Sequence, residues 1–242
     1  MTLLTTSQYK LNLSQRIGIL TAGINLSPAR EVNSVLATSH PTACSHARSC
    51  VLGCLAKTGM NTFPTHILAR ANRTDAWWTD REAFMDGAAR EMESVVKKGE
   101  RLGMSVALRP NLLSDLPEIA FGMIARLRAD IKIYDYTKQP RPWIRSSDRY
   151  HLTFSGNETT QQHEVSELLD HGINVAVVVS TPKGEPIPAS ISFRGVTRPT
   201  IDGDLHDCRF TDPTNHFVAL RWKGSKARLD DALKSGFAVR VN

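Results

Sequence analysis

Asn174-Val175-Ala176-Val177-Val178-Val179 is the stretch that decides the fold. Its unbroken apolar run lacks the in–out alternation of a strand with one wet face. It reads as a strand buried on both sides, the habit of a parallel sheet covered by helices. Outward from it, helix and strand patterns alternate. Thr79 to Leu102 carries the clearest helix: Thr79-Asp80-Arg81-Glu82 has the form of a capping box, Phe84, Ala88, Met92, Val95 and Leu102 lie near one face, and Gly103 is a natural stop. Short strands follow at Ser105–Leu108, Ile131–Tyr134 and Tyr150–Phe154, with later ones at Phe217–Leu220 and Phe237–Val241. Between them, Ser114 is placed to cap a helix starting near Pro117, and another helix runs through Val165, Leu168 and Leu169 to Gly172.

This order predicts right-handed βαβ units in a single α/β domain spanning residues 1–242. Two stretches interrupt it. Gln139 to Asp148, with Pro140 and Pro142, forms a loop where a helix is expected. Thr181 to Thr200, with four prolines and two glycines, reads as a surface excursion or hairpin. The expected architecture is therefore an irregular or partial (β/α) barrel, TIM barrel-like without completing eight units.

At 242 residues, 41% hydrophobic and 22% charged, the composition is that of an ordinary globular protein. No apolar run reaches the length of a membrane span, and the N-terminus has no signal-peptide pattern, so a cytoplasmic location and no membrane partner are expected. A net charge of +6 points to a polyanionic partner, a nucleotide or nucleic acid. Oligomeric state is not legible.

Three of the four cysteines, Cys44, Cys50 and Cys54, fall within residues 44–54 as C-x5-C-x3-C. Soft thiolates at such short range suit zinc or an iron–sulfur cluster, because closing a small loop around one centre costs little entropy. Buried, inert cysteines are the competing reading, but the neighbours Ser45, His46, Arg48 and Ser49 make no apolar face. Residues 40–60 are thus the expected metal-site segment. The fourth position is open or filled by His40, His46, His206 or Cys208.

Reactive side chains gather after the expected strand ends: Arg109, Asn111 and Asp115; Asp135 and Lys138; Ser155 and Glu158; Asp202 and Asp204, with Asp207, Arg209 and Asp212 close behind. In parallel α/β folds the site is built at the carboxyl ends of strands, so these residues are the candidate catalytic set. Loop polarity and helix capping would account for some of them, Ser114 and Asp115 above all. Asp202, Asp204 and Asp207 could hold a hard cation, or simply form an acidic turn. Phosphate-binding loops, G-x-S-x-G elbows, G-x-G-x-x-G and H-E-x-x-H are absent from the sequence. Trp77 and Trp78 could stack on a base or anchor the long helix.

The runs VALRPNLLSDLPE, IYDYTK, RYHLTFSGNE, GINVAVVV, IDGDLHDCRFTDP and FVALRWKGSKA, in that order, resemble the gene-product-88-like proteins of tailed phages over roughly residues 25–228. That resemblance implies a phage-encoded protein acting in the host cell and supports reading the polar motifs as one site. It supplies no activity. A first strand, a three-cysteine loop and a partial barrel also look like radical S-adenosylmethionine enzymes, which would imply a [4Fe–4S] cluster and S-adenosylmethionine. Here C-x5-C-x3-C departs from that family's C-x3-C-x2-C. The expected function is a metal- or Fe–S-containing enzyme that modifies a nucleotide or nucleic acid. In it Arg109 and Lys138 hold phosphate or carboxylate, and Asp135, Glu158 or Asp202 serves as base. The alternative is a non-catalytic protein that binds DNA or a host protein, with a structural zinc.

Overall fold

The computed structural model describes residues 1–51 and 53–241. Ten strands among them form one sheet: β1 (Leu4–Thr5), β2 (Ile19–Ile24), β3 (Ser105–Arg109), β4 (Lys132–Thr137), β5 (Tyr150–Ser155), β6 (Val175–Val179), β7 (Ser190–Phe193), β8 (Val196–Asp202), β9 (Phe217–Arg221) and β10 (Ala238–Val239). The order across it is β1-β2-β3-β4-β5-β6-β9-β8-β7, with β10 also paired to β6. From β2 to β8 every neighbouring pair is parallel, whereas β1 and the hairpin strand β7 run antiparallel at the two edges. The Asn174–Val179 stretch supplies β6, which pairs with β5, β9 and β10 and is largely buried.

The helices are α1 (Tyr9–Leu13), α2 (Glu31–Leu36), α3 (Pro64–Thr79), α4 (Arg81–Leu102), α5 (Pro117–Arg126), α6 (Gln162–Asp170) and α7 (Lys226–Ser235). Phe84 and Met92 of α4 and Ile119 and Met123 of α5 pack on Leu20, Leu108, Ile133 and Leu152. Val165, Leu168 and Leu169 of α6 pack on Phe154, Val175 and Val177. Because Leu152 and Phe154 share one face of β5, all three helices cover the same side of the sheet. That is the winding of a barrel, but the sheet is open, with β1 and β7 at its edges.

Among the described residues no strand covers the inner face. The connection from β8 to β9 does so instead. Its Cys208 and Phe210 pack against Ile19, Ala107 and Tyr134. Its Asp207 accepts hydrogen bonds from Arg109 Nη1 of β3 at 2.8 Å and Tyr134 OH of β4 at 3.2 Å. Residues 9–17 reach the same connection: Lys10 Nζ donates to the Gly203 carbonyl at 3.2 Å and Asp207 N to Ser14 Oγ at 3.4 Å.

Local expectations needed three corrections. Thr79 ends α3, and Asp80 is the residue that caps α4, accepting from Ala83 N at 3.0 Å. α3 itself has no signature in the sequence, because its buried side includes Arg70 and Thr74, which break the apolar period. Arg70 is fully buried on Glu31 of α2, with Nε and Nη2 at 3.1 and 2.9 Å from its carboxylate. Ser114 does not cap α5: its hydroxyl donates to Asn111 Oδ1, which also accepts from Leu116 N.

Candidate functional site

β6 begins where β5 ends, since the register joins Phe154 to Val175 and Ser155 to Ala176. The second half of β6, flanked by β10, therefore rises above the end of β5 as a wall. Beside that wall lies a pocket of about 260 Å³. Ala176, Val178 and Phe237 line it on this side, the inner-face strand ends Arg109, Tyr136, Ser155 and Leu220 line it from the sheet, and Cys44, His46, Cys50, Gly53, Cys54 and Leu55 close it from the cysteine segment.

All three clustered cysteines line this pocket. Their segment is fastened to the body at several points: Asp115 N donates to the Ala43 carbonyl at 2.8 Å, Cys44 Sγ to the Leu113 carbonyl at 3.4 Å, and Ser49 N to Glu158 Oε1 at 2.8 Å. Burial raises the Cys44 thiol to about 11 and pushes Cys54 up as well, so in an empty pocket these groups stay protonated at neutral pH. Among the described residues no three His, Cys, Asp or Glu side chains stand together at metal-ligating range. What the fold provides is the donor set, three thiols on one pocket wall. Of the four candidates for a further ligand, only His46 lines the pocket. His40 pairs with Asp75 at 2.7 Å, His206 lies 3.0 Å from Arg209, and Cys208 is buried on Thr21 of the inner face.

Gly53 seats this segment on Trp222. A methyl carbon there would stand 2.6 Å from the indole ring, closer than van der Waals contact permits. The indole is held in turn, with Nε1 donating to the Ser225 carbonyl at 3.0 Å and Gly224 against its other atoms. Gly53→Ala is therefore expected to lever the cysteine segment off Trp222, at a cost of about 1–3 kcal/mol. Thermal unfolding checks the cost, and faster alkylation of Cys50 and Cys54 checks the displacement.

Of the strand-end residues read from sequence, Arg109, Asn111, Asp115, Lys138 and Ser155 line the pocket; Asp135, Glu158, Asp202 and Asp204 do not. Asp135 is displaced because β4 runs three residues past Tyr134, and alternation turns Asp135 with Ile133 toward the helices. There it accepts from Asn111 N at 2.8 Å, Asn111 Nδ2 at 2.9 Å and Tyr150 OH at 3.1 Å. Glu158 holds the cysteine segment through Ser49; burial pushes its carboxyl up, but hydrogen bonds from Ser49 and from its own backbone, with the charge of Arg48, together keep it below the usual range. Asp202 and Asp204 form no cation site: they bind Arg221, Lys10 and Lys223.

Arg109 reaches the pocket already committed, paired with the fully buried Asp207 and stacked over Tyr136 at 4.7 Å. Asp115 is the one carboxylate among the lining residues. Burial raises its pKa against the opposing hydrogen bonds from Lys138 N and Thr137 Oγ1, both 2.9 Å. Lys10 is the lining residue that sequence reading missed, because it lies in a short first helix with no strand-end signal to mark it. Arg221 ends β9 and Trp222 follows it, so both could have been inferred from the strand-end rule.

Among the described residues no helix is long and apolar enough to cross a membrane. No curated protein and no solved structure matches this chain. The family model for gene product 88 matches residues 3–240, nearly the whole of it, so the chain belongs to the gene product 88 family of phage proteins.

Proposed function

We propose that the pocket is the active site of a phage-encoded enzyme that acts on a nucleotide or nucleic acid, with a metal centre, an iron–sulfur cluster or zinc, held by Cys44, Cys50 and Cys54. The observation that carries this reading is convergence: three thiols, one carboxylate and the cations Lys10, Arg109, Lys138, Arg221 and Lys223 line one pocket at the carboxyl ends of parallel strands. A bound metal would supply the charge that turns these thiols into thiolates and a Lewis-acidic or redox centre beside the substrate. Cations in a walled pocket favour a phosphate-bearing ligand. Asp115, the lining carboxylate with a raised pKa, is the residue suited to accept or return a proton, and Lys138 beside it to hold the reacting end. Asp135, tied to Asn111 and Tyr150, supports the site from behind.

Protein purified without oxygen is expected to carry one metal centre per chain, seen by elemental analysis, sulfide assay and absorption spectrum. The triple variant Cys44→Ser, Cys50→Ser, Cys54→Ser is expected to lose it. A folded wild-type chain free of iron and zinc would end the metal reading. Asp115→Asn, folded and metal-loaded, is expected to lose at least about 100-fold in any nucleotide- or DNA-modifying activity. Unchanged phage growth and unchanged DNA with this variant would favour the non-catalytic binding protein instead.

A further inference from the structure

Two groups among the cations of the pocket differ in charge balance. Arg109 is paired with Asp207, 2.8 Å away, a carboxylate that also attracts Lys10. Around Asp204 the balance is uneven. Lys10 Nζ lies 3.5 Å and Lys223 Nζ 2.9 Å from Asp204 Oδ1, and Arg221 Nη1 lies 3.5 Å from Oδ2 and 2.7 Å from Asp202. Three cations thus share two carboxylates. The cluster also carries spare donors: the Lys10 ammonium has three N–H bonds and hydrogen-bonds only the Gly203 carbonyl, while Arg221 Nε is buried without a partner. Neither carboxylate lines the pocket, whereas all three cations do. The acids hold the cluster from behind, and its surplus charge faces the space.

We propose that Lys10, Arg221 and Lys223 form an anion subsite that binds an oxyanion of the substrate, a phosphate or a carboxylate. This deepens the reading of the pocket as a substrate site and rests on it. An oxyanion placed among these three would take up the unused N–H donors and neutralise the surplus charge.

The groups around Lys10 give the binding a pH signature. Asp204 and Asp207 on the β8–β9 connection attract its charge, Lys223 after β9 and Arg109 of β3 oppose it, and burial is the largest influence. Together they lower the ammonium to about 8. Oxyanion binding favours the protonated form, so affinity is full below that value and falls as pH rises through it.

The test is calorimetric titration of the full chain with sulfate, whose charge is constant across the range. Sulfate is expected to bind at one site near pH 6.5 and about tenfold more weakly near pH 9.5. Lys10→Gln and Lys223→Gln are each expected to weaken it about tenfold or more, and the exposed control Lys183→Gln to leave it unchanged. Lys223 is partly exposed, so its variant keeps the test usable should Lys10→Gln fail to fold. Parallel titrations with inorganic phosphate and acetate separate the sources, the tighter binder naming the group recognised. No sulfate binding, or binding indifferent to Lys223→Gln, overturns the subsite. The triple cysteine variant separates the two proposals. Sulfate binding by a metal-free chain would leave the subsite standing alone. A metal-loaded chain that ignores sulfate would sink the subsite and leave the metal centre.

Discussion

Asp207→Ala is expected to destabilise the fold by about 3–5 kcal/mol, the cost of leaving a buried charge without its partner. Asp207 is fully buried and neutralises Arg109, which is itself only 12% exposed in its side chain, while also accepting from Tyr134. The double variant Arg109→Met, Asp207→Leu, which removes both charges, is expected to recover most of that loss. Denaturant unfolding of the two variants beside the unaltered chain checks it. If Asp207→Ala costs less than the double variant, the pair is not a unit. The same pair sets an acid limit. Burial alone would raise the Asp207 pKa, but Arg109, with Lys10 and Arg209, outweighs it and holds the group below its ordinary 3.8. Its share of stability is complete above that ordinary value and is lost as pH falls through the depressed one.

Asp135→Ala is expected to cost about 3 kcal/mol or more, since it strands Asn111 N, Asn111 Nδ2 and Tyr150 OH in a buried site. Asn111 also orders the start of α5 by accepting from Leu116 N, so the helix is expected to loosen with it. Burial pushes Asp135 up to about 7, against the hydrogen bonds from Asn111 and Tyr150 and the charge of Arg109. A raised carboxyl pKa means the folded chain binds the proton more tightly than the unfolded one. Wild-type stability therefore declines between about pH 4 and pH 7, and the variant lacks that decline. The gap between them should narrow across this window in parallel melts. A gap that widens instead would show Asp135 ionised throughout.

The parallel sheet was legible because β6 and its neighbours are buried enough for composition alone to mark them. Strand ends were less so. Reading Tyr134 as the end of β4 made Asp135 a rim residue, whereas three more residues of strand turn it to the helix face. The open edges of the sheet escaped notice for a similar reason. Asp207 and Cys208 lie in what reads as an acidic turn, yet they fill the inner face through pairings with Arg109, Tyr134 and Thr21, which lie 98, 73 and 187 residues away in sequence. No local pattern encodes such partners. The cysteine segment was legible as a cluster, but its place over the strand ends depends on Glu158 and Trp222, remote residues whose roles only the folded chain reveals.

The pocket draws on both extremes of the chain. Lys10 lines it together with Trp222, Lys223 and Phe237, more than two hundred positions later in sequence. During synthesis the three thiols emerge long before Trp222 and Phe237 exist to receive them. A nascent chain therefore has the thiols but no finished pocket, and the lining is complete only once β9 and β10 have joined β6.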